Sequence, residues 1–241
     1  FFNPSLVSGM GEYLARHYPG FERVGFETTC LNGLESLELK ERSNHILKAL
    51  IQFLPVEFDK TAEILLASLH TNEDADISNT HINSKGIAGW AILPMTLYVA
   101  EQGKNHFDLS MKLLKEMTKR FSAEFAIRFF LISDQKRTME VLQDWTNDDN
   151  RHVRRLVSEG TRPRLPWAMH LPDFIKDPTP ILPLLEILKD DTEEYVRRSV
   201  ANNLNDISKD HPELVANIAD RWLIEATPDR KKLVRHACRS L

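Results

Sequence analysis

The sequence predicts an all-α protein, an α-solenoid of stacked helix pairs with a concave basic face. Three observations carry that prediction. The phrase DDNRHVRRLVSEG returns as DDTEEYVRRSVANN and, more faintly, as PDRKKLVRHACRSL. The copies centre on Val153, Val196 and Val234, at offsets of 43 and 38 residues, and periods near ~40 mark stacked HEAT-like helix pairs. Elsewhere apolar residues recur at helical spacing, and no stretch alternates as a strand does.

At about 100° per residue, Leu156, Val157 and Gly160 share the face of Val153, which predicts a buried stripe. Arg151, Arg154, Arg155, Ser158 and Glu159 fall on the opposite, polar side. In the second copy Val196, Val200, Asn203 and Ile207 form the buried side, while Arg198, Asn202 and Asp206 form a polar stripe at i, i+4 and i+8. Stacking is expected to bring Arg155 and Glu159 beside Arg198, Asn202 and Asp206 on one basic surface with acids set into it. Each piece also has a plain structural reading. An Asp at a helix start is a cap. Arg154 and Arg197 suit a ladder between repeats, and Glu159 with Arg155 suits an ordinary helix ion pair.

Along the chain, residues 1–33 are expected to be loosely organised around a short helix at 10–17. Helices are predicted over 37–53, 58–69, 87–100 with a kink at Pro94, 107–121, 124–132 and 136–145, with a polar loop at 71–84. Residues 162–167, RPRLPW, differ in kind. Two prolines hold a stiff turn that displays Arg162, Arg164 and Trp167. Trp167 is read either as half-buried packing or as a stacking wall beside Glu159.

Of the 241 residues, 42% are hydrophobic, enough for a core, and the whole chain, 1–241, is read as a single HEAT-like repeat domain. No apolar run approaches the ~20 residues of a membrane span, and no signal-peptide pattern is present. The first residue is Phe1, so the native N-terminus is expected upstream. Two distant cysteines, Cys30 and Cys238, suit a reducing compartment, and a cytoplasmic, nucleoid-associated monomer is expected. Net charge is −4, but residues 150–241 carry 16 Lys and Arg against 14 Asp and Glu, leaving 15 against 21 in the rest. Clustering of the basic residues on one helical face is the footprint of a phosphate-binding surface. The candidate phosphate contacts are Arg154, Arg155, Arg162, Arg164, Arg197, Arg198 and Lys209. Metal-ligand spacings, phosphate loops and dinucleotide glycine patterns are missing from the sequence, so no metal or cofactor is expected. Carboxylates in a basic, aromatic-lined groove suit cleavage through an oxocarbenium-like transition state.

The segments SEGTRPRLPWA (158–168) and VRRSVANNLNDISKDHP (196–212) resemble the AlkC-type DNA alkylation repair glycosylases, a branch of the HEAT-like repeat glycosylases. GIAGWAILP (86–94) and residues 122–130 extend the likeness over most of the chain. The resemblance implies a monofunctional enzyme that removes alkylated bases from duplex DNA, 3-methyladenine above all and also 3-methylcytosine. It implies Glu124, Glu159 and Asp206 as catalytic acids and Trp167 as the active-site tryptophan. Glu124 rests on the resemblance alone, whereas spacing had already singled out Glu159 and Asp206. Some members add a C-terminal immunoglobulin-like domain, which nothing in this sequence resembles. Two other classes fit the same residues. One is a nucleic-acid binder of this fold without excision; the other is a HEAT-type protein scaffold, marked by salt-insensitive peptide binding.

Overall fold

The computed structural model describes residues 1–74 and 81–241. Among them lie fourteen α-helices, three short 3-10 turns and no β-strand, only the isolated bridges Leu69–Ile87 and Asn83–Gly86. The all-α prediction holds. The chain divides into two compact units, Phe1–Ala126 and Ile127–Leu241.

The first unit holds α1 (Pro4–His17), α2 (Arg23–Leu31), α3 (Leu39–Phe53), α4 (Phe58–Ser68), α5 (Ile92–Gln102) and α6 (Phe107–Thr118). Its first 33 residues are far more ordered than their composition suggested. Asn3 caps α1 by accepting the Leu6 N–H at 2.9 Å, and Pro4 begins it at a position that needs no N–H. Pro94 does not kink a helix. It sits in the first turn of α5, again where no backbone donor is needed. The expected loop at 71–84 is non-helical where described, and its central residues, 75–80, lie outside the described residues.

The second unit holds α7 (Ile127–Ser133), α8 (Gln135–Trp145), α9 (Arg151–Gly160), α10 (Pro172–Lys176), α11 (Leu182–Leu188), α12 (Glu194–Ser208), α13 (Pro212–Leu223) and α14 (Pro228–Ala237). The pairs α8/α9, α11/α12 and α13/α14 are the three repeats, and α12 packs between α9 and α14. Val153, Leu156 and Val157 of α9 are buried, as are Val196, Val200 and Ile207 of α12 and Val234 of α14. Gly160 lets α9 approach α7 closely, since a Cβ there would stand 2.6 Å from Ile127 Cγ2.

The repeated Asp and the first Arg of each Val-Arg-Arg phrase join the repeats. Asp148 Oδ1 accepts the Asn150 N–H, and Asp191 Oδ1 accepts the Glu193 N–H, both at 2.9 Å, which shapes the entry to α9 and α12. Arg154 donates to the carbonyls of Asp148 and Asp149 and, through Nε (2.6 Å) and Nη2 (3.0 Å), to the Asp191 carboxylate one repeat on. Arg197 repeats the pattern on the carbonyls of Asp191 and Thr192 and on Asp229 Oδ2 at 2.8 Å. Arg154 and Arg197 are thus rungs of a ladder. Their donors are engaged in holding the stack together, which is the structural reading of the two.

Candidate active site

Arg162 is the centre of the seam between the first two repeats. Its Nη1 donates to Glu159 Oε1 at 2.7 Å and its Nε to Asp206 Oδ2 at 2.8 Å, so one guanidinium spans acids from α9 and α12. All three are buried, with 5% of Glu159, 2% of Asp206 and 8% of Arg162 exposed. Ser199 Oγ donates to Glu159 Oε2 at 2.6 Å and lies 2.7 Å from Ser158 Oγ. Asn203 Nδ2 donates to the Ser158 carbonyl at 2.8 Å and to Thr161 Oγ1 at 3.1 Å. The predicted polar side of α9 is therefore covered, which corrects the exposed positions expected for Ser158, Glu159 and Asp206. Helical periodicity assigns one buried face, but a helix inside a stack has neighbours on two sides.

Arg155 Nη2 lies 3.5 Å from Glu159 Oε1, and its guanidinium sits 5.3 Å from the Tyr195 ring centroid. Lys209 Nζ stands 3.3 Å from Asp206 Oδ1 and is half exposed. Burial pushes the Glu159 carboxyl up, but Arg155, Arg162 and the Ser199 hydrogen bond outweigh it and hold the group below the ordinary glutamate range. Glu159 is an anion at neutral pH. A depressed folded value stabilises the fold fully above the unfolded value of about 4.3, and that contribution is lost as pH falls through the folded value. The expected result is a stability gap between wild type and Glu159→Gln that narrows below about pH 4.3. Urea denaturation from pH 6 to pH 3 measures it, and a constant gap would contradict the ionised assignment.

The turn after α9 carries the aromatic. Trp167 is 67% exposed and has φ of +65°, a left-handed conformation that costs a bulky residue about 1–3 kcal/mol. The turn persists because it is nailed from below. Arg128 of α7, fully buried, donates Nε to the Met169 carbonyl (2.7 Å) and Nη1 to those of Gly160 (3.0 Å) and Arg162 (2.7 Å). Leu165 is buried beneath the same turn. Arg164 sits outside, in a bidentate ion pair with Asp210 at 2.9 Å.

The expected constellation is thus partly reunited. Glu159 and Asp206 meet through Arg162, which bridges the two acids. Arg198 and Asn202 do not join them, because they face α14. Glu124 belongs to the other unit, in the turn before α7, where it accepts the Ser122 hydroxyl at 2.8 Å. Reading the sequence missed Arg128 and Ser199. An arginine inside the apolar run AIRFFLI was the available signal for Arg128; Ser199 had none.

Fold and site together define a class: a helical-repeat protein with two carboxylates bridged by a buried arginine at the seam between two repeats, and an exposed aromatic on the turn that follows. The family model described as DNA alkylation repair enzyme matches residues 89–241, and the chain belongs to that family. It is similar to the alkylpurine DNA glycosylase AlkC of Pseudomonas fluorescens, whose structure was solved bound to DNA containing an abasic site analog. Identity is 38%, with a TM-score of 0.86 over 99% of this chain and 62% of that one. It is also 38% identical, over all 241 residues, to the uncharacterized protein YhaZ of Bacillus subtilis (strain 168), covering 63% of that protein. The chain spans less than two thirds of the length of either relative. The resemblance drawn from residues 158–168 and 196–212 is borne out.

Proposed function

We propose that this chain carries the catalytic part of a monofunctional DNA glycosylase. It removes alkylated bases, 3-methyladenine first and 3-methylcytosine second, from duplex DNA by hydrolysis of the N-glycosidic bond, acting as a monomer in the cytoplasm. The observation that carries this reading is the buried Glu159–Arg162–Asp206 bridge at the seam, followed by the turn that exposes Trp167. A base methylated at this position is cationic and leaves without needing a strong acid. The step it needs is stabilisation of the positive charge that builds on the sugar, and preorganised anions in a low-dielectric seam supply that. Arg155 and Arg162 keep Glu159 ionised. Among the described residues Asp206 Oδ1 meets only Lys209, at 3.3 Å, and so keeps acceptor capacity to orient the attacking water. Glu124 is the third acid by family likeness. Trp167 offers a cation–π face to the charged base, worth about 0.5–2 kcal/mol. Arg155, Arg164 and Lys209, near the mouth of the seam, are the retained phosphate contacts, with Arg164 exchanging Asp210 for the strand.

Release of free base from a methylated duplex, followed by chromatography, tests the reading. A protein that binds the duplex and releases no base would support a second reading, a silent binder, which the full engagement of Glu159 by Arg162 and Ser199 favours. Trp167 offers a finer test. Trp167→Gly is expected to raise stability by about 1 kcal/mol, since glycine adopts a positive φ without strain, while lowering excision more than duplex binding. Thermal unfolding and single-turnover excision read the two effects. Unchanged excision would assign Trp167 to packing alone.

A further inference from the structure

One repeat beyond the carboxylate seam lies its counterpart, a cleft of about 360 Å³ between α12 and α14. The repeat offsets equate Glu159 with Asn202, Arg155 with Arg198 and His236, and Ser199 with Ala237. The second groove has therefore exchanged the carboxylate for an amide and the hydroxyl for a methyl, kept the cation of Arg155 as Arg198, and put Asn205 where Arg162 bridges the acids. Asn202 Oδ1 lies 2.9 Å from His236 Nε2 and accepts from Arg239 Nη2 at 3.1 Å. The two acids on the cleft wall are engaged: Glu194 accepts from Lys232 at 2.5 Å and Asp229 from Arg197 at 2.8 Å. Arg198, Arg235 and Arg239 also line the cleft, and no carboxylate among the described residues pairs with them. Among the described residues Arg198 and Arg235 make neither a hydrogen bond nor an ion pair, and both are exposed. Arg235 is the third-repeat equivalent of the ladder rungs Arg154 and Arg197, but it is not tied down as they are. Burial, Arg239 and Arg198 together hold the His236 imidazole below its ordinary range.

We propose that the cleft between α12 and α14 is an anion site that holds a backbone phosphate of the bound DNA, gripped by Arg198, Arg235 and Arg239. The anion is assigned as a phosphodiester because α12 forms a wall of both the cleft and the carboxylate seam, so that a strand lying on the seam meets the cleft one repeat on. That identity rests on the reading given under Proposed function; the positive cleft does not. Such a grip fixes the register of the strand and carries no base information. Local clustering of cations, more than the net charge of the chain, sets the field a strand would meet there.

The double variant Arg198→Gln/Arg235→Gln tests the site. Its affinity for a fluorescein-labelled undamaged duplex is measured by anisotropy across a salt series, beside wild type. Affinity at low salt should fall about tenfold, equally for unrelated sequences. The slope of log affinity against log salt should flatten by roughly one for each phosphate that is no longer neutralised. Melting temperature should hold, because among the described residues neither arginine makes a hydrogen bond or an ion pair. An unchanged slope overturns the proposal, as does a wild type that binds no duplex. A changed melting temperature with unchanged slope also overturns it and assigns the two arginines to the stability of the fold. The glycosylase reading can fail separately: wild type that releases no base, paired with a variant whose slope flattens, leaves the phosphate site standing.

Discussion

Glu159→Gln is expected to lower single-turnover base release by about 10²–10³, the scale of one preorganised electrostatic contact. Glutamine keeps the shape, and Ser199 can still bond to it, because a hydroxyl both donates and accepts. What is lost is the charge that Arg155 and Arg162 hold in place. Arg162 keeps Asp206 as its counterion, so the variant should fold, and circular dichroism checks that it does. DNA affinity should hold or rise, since a negative charge leaves a surface that meets phosphates. Asp206→Asn should behave similarly, and the double variant should lose less than the product of the two, because both acids act on one transition state. Wild-type rates in both single variants would make the pair a structural bridge and nothing more.

Arg128→Met is expected to cost on the order of 3–5 kcal/mol of stability, the range for breaking a buried charged network. Methionine fills much of the volume but donates nothing. The carbonyls of Gly160, Arg162 and Met169 are then left without their donor, each at a cost of about 1–3 kcal/mol where water cannot replace it. Two of these carbonyls lie at the C-terminal end of α9, where a cation also answers the helix dipole. Arg128→Lys should not rescue, because a single ammonium cannot match a planar fork aimed at three acceptors. Urea denaturation measures the change, and a loss below about 1 kcal/mol would show that the turn carrying Trp167 is held by other means.

How much of this was legible in the sequence depends on the residue. Val153, Val196 and Val234 announced the repeat, since a buried apolar position at a fixed period has one meaning in a helical stack. The ladder was half legible: the period marked Arg154 and Arg197, but only geometry shows their forks on Asp191 and Asp229. Glu159 and Asp206 were found as residues and misplaced as surface, because a single-face periodicity cannot see that α12 covers α9. Asn202 was grouped with the catalytic stripe, although the side of α12 that it occupies faces α14. Trp167 left two readings open. Its exposure follows from a positive φ that no residue pattern encodes, and from the Arg128 anchor more than thirty positions away. Glu124 came from family likeness alone, and its part in the chemistry remains a proposal.

The measurement closest to the central claim is base release by wild type from a duplex carrying 3-methyladenine, with the Glu159→Gln/Asp206→Asn double variant beside it. Free 3-methyladenine and an abasic strand should accumulate with wild type, and at least about a hundredfold more slowly with the double variant, while both proteins bind the duplex. Tight binding by wild type with no base released, or equal release by both proteins, would contradict the account.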